Sequence, residues 1–265
     1  MRILFVGDIF GSPGRRIVHA HLRHVVEHHH VELLVMNAEN SAGGFGVTPA
    51  IAQELFDLGA DVLTTGNHVW DKKEIIDYFN SANGDPNSFA HRLLRPANYP
   101  AGTPGTGFYE GTTRSGVPYA VMNLQGRVFM VSNDDPFRVA DELLKQTKVK
   151  VILVDIHAEA TSEKMALGWY LDGRVTAVLG THTHVPTADE RILPQGTAYQ
   201  TDVGMTGPYD SIIGVEKELV LQRFLTNMPG KFDAAKNDPR FSAALIECDP
   251  ATGRASSIAR ILLGE

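Results

Sequence analysis

Five short, largely apolar runs recur along the chain, at Ile3–Val6, Leu33–Met36, Asp61–Thr65, Val151–Asp155 and Val175–Leu179, and each breaks off at a turn. Runs that are apolar at nearly every position, rather than at every second one, read as strands buried on both faces. Segments with helical spacing lie between them. Ser12 and Pro13 offer an N-cap and a first-turn proline to a helix burying Ile17, Leu22, Val25 and Val26. Thr48-Pro49 opens a second helix, and Asp71 caps or opens a third through Ile75, Ile76 and Phe79. Strand and helix alternating at this spacing confine the chain to an α/β fold with a parallel sheet.

The rhythm is interrupted once. Ser81 to Gly107 is rich in Asn, Pro and Gly and reads as a long loop, and Phe108–Tyr109, Tyr119–Leu124 and Val128–Val131 read as antiparallel strands turning near Ser115-Gly116. Pro136–Thr147 and Glu163–Tyr170 then read as helices, Arg191–Gln200 as a hairpin about Pro194-Gln195-Gly196, and Glu216–Thr226 as a helix. Phe241–Leu263 reads as two closing strands joined at residues 249–253. No linker, repeat or shift of composition divides the 265 residues, so one domain over 1–265 is expected.

Composition narrows the function. A hydrophobic share of 43% and a charged share of 21% exclude a disordered chain. The net charge of −7 argues against a broad electrostatic hold on nucleic acid. No apolar run approaches the roughly 18 residues a membrane span needs. An acid interrupts the apolar start MRILFVGDIF, unlike a signal peptide, so a soluble, cytoplasmic protein is expected. The lone cysteine, Cys248, can form neither an intrachain disulfide nor a thiolate pair for zinc. A metal site would have to use His, Asn and carboxylates.

In open α/β sheets ligands bind beyond the carboxyl ends of the strands. Those ends carry Asp8, then Glu39-Asn40, Asn67-His68, His157 within Asp155-Ile156-His157-Ala158-Glu159, and Thr181-His182-Thr183-His184. One such residue needs only a turn to explain it; five ends together are a donor set. Two divalent cations need a bridging carboxylate with neutral N and O ligands. Glu39 can bridge, Asp8 can bind one ion, Asn67 the other through its amide oxygen, and the histidines can complete both sets. His182 and His184 would be brought to neighbouring ions by a sharp turn at Gly180. The other histidine group, His19, His21, His24, His28, His29 and His30, reads as a solvated surface, since three in a row cannot share one helical face. Gly7-Asp8-Ile9-Phe10-Gly11-Ser12-Pro13-Gly14 has neither dinucleotide nor P-loop spacing, and Thr201-Asp202-Val203-Gly204-Met205-Thr206-Gly207-Pro208 reads equally as the rim of a pocket or as a plain turn.

Gly7-Asp8-Ile9-Phe10, Ala38-Glu39-Asn40, Gly66-Asn67-His68, His157 and Gly180-Thr181-His182-Thr183-His184 resemble the motif series of the calcineurin-like metallophosphoesterase superfamily. Two departures, Phe10 where the superfamily has its first His and Glu39 where it has a bridging Asp, are similar to the YmdB-like branch, a bacterial phosphodiesterase family of about this length. The resemblance spans nearly the whole chain. It implies a four-layer α/β/β/α sandwich of two mixed sheets. It also implies two ions, one held by Asp8, Glu39, Asn40 and His184, the other by Glu39, Asn67, His157 and His182, with Asn40 replacing the missing His. The amide oxygen is a hard donor, so iron or manganese is expected, with magnesium or zinc as alternatives. His68 is placed to protonate the leaving oxygen.

The activity implied is hydrolysis of small cyclic nucleotides, 2′,3′-cAMP or 3′,5′-cAMP, by in-line attack of a metal-bridging hydroxide. A phosphomonoesterase with the same metals is the first alternative. A regulatory or scaffolding protein with structural metals, binding a partner or RNA, is the second. Self-association is left open.

Overall fold

The computed structural model describes residues 1–82, 85 and 88–265. The chain builds half of one sheet, then a second sheet, then returns to finish the first. The opening strands are β1 (Arg2–Val6), β2 (Asp8–Ile9), β3 (Leu33–Asn37), β4 (Val62–Thr64) and β5 (Leu93–Leu94), with helices α1 (Gly11–His28), α2 (Pro49–Asp57) and α3 (Glu74–Ser81) between them. The second sheet takes β6 (Phe108–Thr112), β7 (Pro118–Gln125), β8 (Val151–His157), β9 (Ala177–Thr181), β10 (Arg191–Ile192) and β11 (Ala198–Gln200). Its helices are α4 (Pro136–Gln146) and α5 (Thr161–Leu171). Last come β12 (Met205–Pro208), α6 (Lys217–Thr226), β13 (Pro239–Cys248) and β14 (Ala255–Gly264).

The first sheet runs β2-β12-β13-β1-β3-β4-β5 with β14 on β13, and the second β10-β11-β9-β8-β7-β6. Both are mixed. β1, β3, β4 and β5 are parallel while β13 pairs antiparallel with β1, and β7, β8, β9 and β11 are parallel between antiparallel β6 and β10.

Side chains alternate across each strand, and here both faces find apolar partners. Ile3, Phe5, Leu33 and Val35 of the first sheet pack with Val121, Leu153, Ala177 and Leu179 of the second, forming the interior between them. The intervening Leu4, Val6, Leu34 and Met36 meet Ile17, Leu22 and Val25 of α1 and Leu55 and Phe56 of α2. On the far side Ile152, Val154 and Val178 meet Ala140 of α4 and Leu167 and Leu171 of α5. Each such side chain contributes roughly 1.5–3 kcal/mol. The result is the expected α/β/β/α order, with the carboxyl ends of β1, β3, β4, β8 and β9 meeting at one edge. Among the described residues no helix is long and apolar enough to cross a membrane.

Several local expectations need correction. Ser12 does not cap α1, which starts after Phe10 with no side-chain cap. The N–H groups of Phe10 and Gly11 donate instead to Thr206 O and Asn40 O, both at 2.9 Å. The third helix begins at Glu74, and Asp71 turns its carboxylate to His68. Val128–Val131 forms no strand, because Phe129 adopts φ +61° and the N–H groups of Arg127 and Val128 bind the Glu163 carboxylate. The loop expected over 81–107 holds a 3-10 turn (Phe89–Arg92) and β5, whose two residues are too short a run to show a period; residues 83, 84, 86 and 87 lie outside those described. Thr48 and Pro49 do cap and start α2, with Thr48 accepting from Ile51 N. On and after α1, His19, His24, His28 and His30 are exposed and His21 and His29 half-buried.

Candidate metal centre

Strand ends bring the predicted donors together. Asp8, Glu39 and His157 are fully buried, and their ligand atoms lie within 4.8 Å of one another, a grouping that could hold a metal ion. His157 Nε2 is the hub. It lies 2.5 Å from Glu39 Oε2, 3.1 Å from Asn67 Oδ1 and 3.0 Å from His182 Nδ1. On the neighbouring side His184 Nε2 stands 3.3 Å from Asn40 Oδ1, and Asp8 Oδ2 accepts from the His182 N–H at 3.2 Å. All seven residues expected to bind metal therefore sit at this edge.

The three imidazoles are oriented by acceptors that sequence does not reveal. Thr181 Oγ1 donates to Asp155 Oδ1 at 2.7 Å, so it accepts from His157 Nδ1, 2.9 Å away. Glu159 lies 3.0 Å from His182 Nε2, and Ile213 O accepts from His184 Nδ1 at 2.8 Å. These acceptors favour the proton on each outer nitrogen, which leaves the inner nitrogen of His157 facing Glu39, that of His182 facing His157 and that of His184 facing Asn40. Metal-binding histidines are fixed in this way.

Charge in the edge is unbalanced. Burial, with Asp202, Glu39 and Asp155 nearby, pushes the Asp8 carboxyl well above the usual range despite His157. Burial would do the same to Glu39, but His157 and His68 together outweigh it and draw Glu39 down to about 2. Burial opposes charge on His157 too, yet Glu39 and Asp8 raise its pKa. His182 is pushed down to about 3 by burial and by His157, and His184 is lowered chiefly by burial. Asp8 Oδ1 and Glu39 Oε2 find no hydrogen-bond partner among the described residues. Two buried carboxylate oxygens crowded at one edge with imidazole and amide donors fit a cation, since a buried charge needs a counter-charge.

Backbone geometry explains how these groups approach so closely. A Cβ on Gly66 would lie 2.2 Å from the His157 ring, so glycine is required there. The turn expected at Gly180 is made by the histidines themselves: His182 has φ +101° and His184 φ +66°, unusual for residues with a Cβ. Thr183, between them, is gripped by the buried carboxylate of Asp202, whose Oδ2 accepts from Thr183 N at 3.1 Å and Oγ1 at 2.8 Å. Buried Lys164 donates to the same oxygen at 2.7 Å. In sequence Asp202 reads as part of a pocket rim or a plain turn, and the nearby glycines hide its role. Asn37 carries no signal there either. Its Oδ1 accepts from the Glu39 N–H at 3.0 Å and its Nδ2 donates to Asp155. Phe10 is buried, edge-on to His184 at 5.5 Å, and packs on Gly44 and Gly214 as a wall of the site.

His68 stands apart from the imidazole cluster. Its N–H donates to Glu39 Oε1 at 2.7 Å, while its half-exposed ring meets Asp71 Oδ2 through Nδ1 at 2.8 Å and Phe45 at 5.1 Å. Nε2 is left for solvent or a ligand.

Two face-to-face mixed sheets, helices outside, and carboxylate, amide and imidazole donors at the shared strand edge define a protein of the metallophosphoesterase kind. The chain belongs to the YmdB-like protein family, which it matches over residues 4–261. It is 49% identical over 267 residues to a 2′,3′-cyclic-nucleotide 2′-phosphodiesterase of Bacillus subtilis, covering 100% of this chain and 98% of that relative. A crystal structure of a hypothetical protein from Thermus thermophilus superposes with a TM-score of 0.92 at 45% identity, each chain covered in full. A structure described as a novel phosphatase from Mycoplasma pneumoniae gives 0.91 at 32% identity, covering 100% of this chain and 93% of the other.

Proposed function

We propose that this phosphoric ester hydrolase opens 2′,3′-cyclic nucleotides, using two divalent ions held by Asp8, Glu39, Asn40, Asn67, His157, His182 and His184. The observation that carries the reading is the convergence of Glu39, Asn67 and His182 on His157 Nε2, with the outer nitrogen of each imidazole already taken. The B. subtilis relative supports the substrate class. Iron or manganese accords with the hard oxygen donors of Asp8, Asn40 and Asn67. The two sheets share one interior, which supports a single domain over 1–265.

Bound there, a pair of ions would polarise the phosphoryl oxygens and activate water. The chain supplies the rest. Glu39, held by Asn37 and the His68 N–H, keeps a negative charge between the two donor groups. Water oxygen joins phosphorus, giving up a proton to solvent, as the bond to O2′ breaks, and a His68 imidazolium, its Nδ1–H held by Asp71, passes its Nε2 proton to O2′. The product is a 3′-phosphomonoester.

Turnover of 2′,3′-cAMP, 3′,5′-cAMP, bis-p-nitrophenyl phosphate and p-nitrophenyl phosphate, before and after chelation and manganese replacement, tests this. The highest kcat/KM on 2′,3′-cAMP, lost on chelation and restored by manganese, is expected. Faster turnover of the monoester would replace the reading with a phosphatase, as the M. pneumoniae structure is described. Activity that survives chelation would exclude both.

A further inference from the structure

A cavity of about 380 Å³ lies at the end of the second sheet away from the metal centre, where the chain leaving α4 enters β8. Lys145, Lys148, Lys150, Arg174 and Arg254 line it, and Asp141 is the one acid among its lining residues. Two of these cations are already matched. Arg174 meets Asp141 at 2.5 Å and Lys145 meets Glu142 at 2.9 Å. Lys148, Lys150 and Arg254 make no ion pair among the described residues, so three unmatched positive charges share one concavity in a chain whose net charge is −7. Like charges held together repel, and a concave wall of low dielectric focuses their field on whatever enters.

The backbone builds this grouping. Gly253 has φ +76°, and a Cβ there would lie 2.0 Å from Lys150 O; a Cβ on Gly196 would meet the stem of Arg254 at 3.1 Å. The β13–β14 turn is thereby pressed against the entry to β8, bringing Arg254 beside Lys150. Leu144, Val149 and Val175 supply an apolar wall next to the cations. Small-ligand sites run from roughly 300 Å³; this cavity reaches that size and is more polar than most, with exposed Lys148, Lys150 and Arg254 beside the apolar wall. The site is remote from the metal centre. Lys150 immediately precedes the seven-residue β8 and His157 ends it, about 23 Å apart at roughly 3.3 Å per residue.

We propose that this cavity binds a nucleoside polyphosphate, its phosphates on Lys148, Lys150 and Arg254 and its base on the Leu144–Val149–Val175 wall. The geometry favours a compact ligand over a long nucleic acid, because the cations gather in one cavity rather than along a stripe.

Calorimetric titration of the metal-stripped full-length protein with ATP, and separately with inorganic pyrophosphate, tests the proposal without a contribution from the metal centre. One saturable ATP site is expected, weakened by added salt. Pyrophosphate should compete but bind more weakly, lacking the base. Lys148→Ala/Arg254→Ala should weaken ATP binding by about tenfold or more, from the loss of two charged phosphate contacts. The same variant, reloaded with manganese, should keep wild-type phosphodiesterase turnover. Unchanged ATP affinity in the variant, or no saturable binding of ATP, would overturn the proposal. A single-stranded RNA oligonucleotide that binds more tightly than ATP and loses affinity in the variant would also overturn it, in favour of a nucleic-acid surface.

Discussion

The Thr181 hydroxyl joins a buried carboxylate to a buried imidazole, and Thr181→Val removes it with little change of shape. Two short hydrogen bonds pass through Oγ1, to Asp155 Oδ1 at 2.7 Å and to His157 Nδ1 at 2.9 Å. Losing a donor to a buried carboxylate costs about 1.5–3 kcal/mol, and losing the acceptor for a neutral N–H about 1 kcal/mol. Asp155 keeps Asn37 and Thr64 as donors, so the sum should fall near 2–4 kcal/mol. Metal affinity should fall separately. Without an acceptor for Nδ1–H, His157 can carry its proton on Nε2 instead, and loss of such a supporting contact weakens a metal site roughly 10–100-fold. Urea unfolding of the metal-free protein measures the first effect; manganese titration monitored by competition with a chelating dye measures the second. Thr181→Ser, which keeps the hydroxyl, should restore both. Manganese affinity unchanged in Thr181→Val would refute the claim that Thr181 fixes the His157 tautomer.

Three further substitutions separate chemistry from scaffolding. His68→Ala should leave metal content intact and slow esters with poor leaving groups by about 10²–10⁴, while hardly affecting esters whose leaving group needs no proton; an equal loss on both classes would remove its acid role. Lys164→Met should cost about 3–5 kcal/mol in urea unfolding by stranding the buried Asp202 charge, with part recovered in Lys164→Met/Asp202→Asn. Wild-type stability in the single variant would show that Thr183 and Gly204 suffice for Asp202. Gly66→Ala forces a methyl into the His157 ring and should cost about 1–3 kcal/mol together with metal loss, read by unfolding and elemental analysis. Full metal content in that variant would contradict the tight approach of the two strand ends.

Much of the fold and site is legible in sequence for a physical reason. The buried strands carry uninterrupted apolar runs, and the donors sit directly at their ends, where a parallel sheet presents its ligands. Asp8, Glu39, Asn67, His157 and the 182–184 pair therefore stand out before any fold is known. The groups that orient them do not. Thr181, Asn37 and Glu159 act across strands or sheets, and their sequence neighbours give no sign of the partner. Lys164 lies on the helix α5, where its burial against Asp202 is a tertiary fact. The positive φ of His182 and His184 is hidden because the local glycine, Gly180, is the cheaper place to turn; it lies instead within β9, where a Cβ would strike Thr201 O at 1.7 Å.

Anomalous diffraction from crystals grown with manganese, recorded on both sides of the manganese absorption edge, is the most direct test of the site. The proposed function predicts two peaks about 3.5–4 Å apart, one among Asn67, His157 and His182, the other among Asp8, Asn40 and His184, with Glu39 touching both. A lone peak, or manganese bound away from this edge, would contradict it.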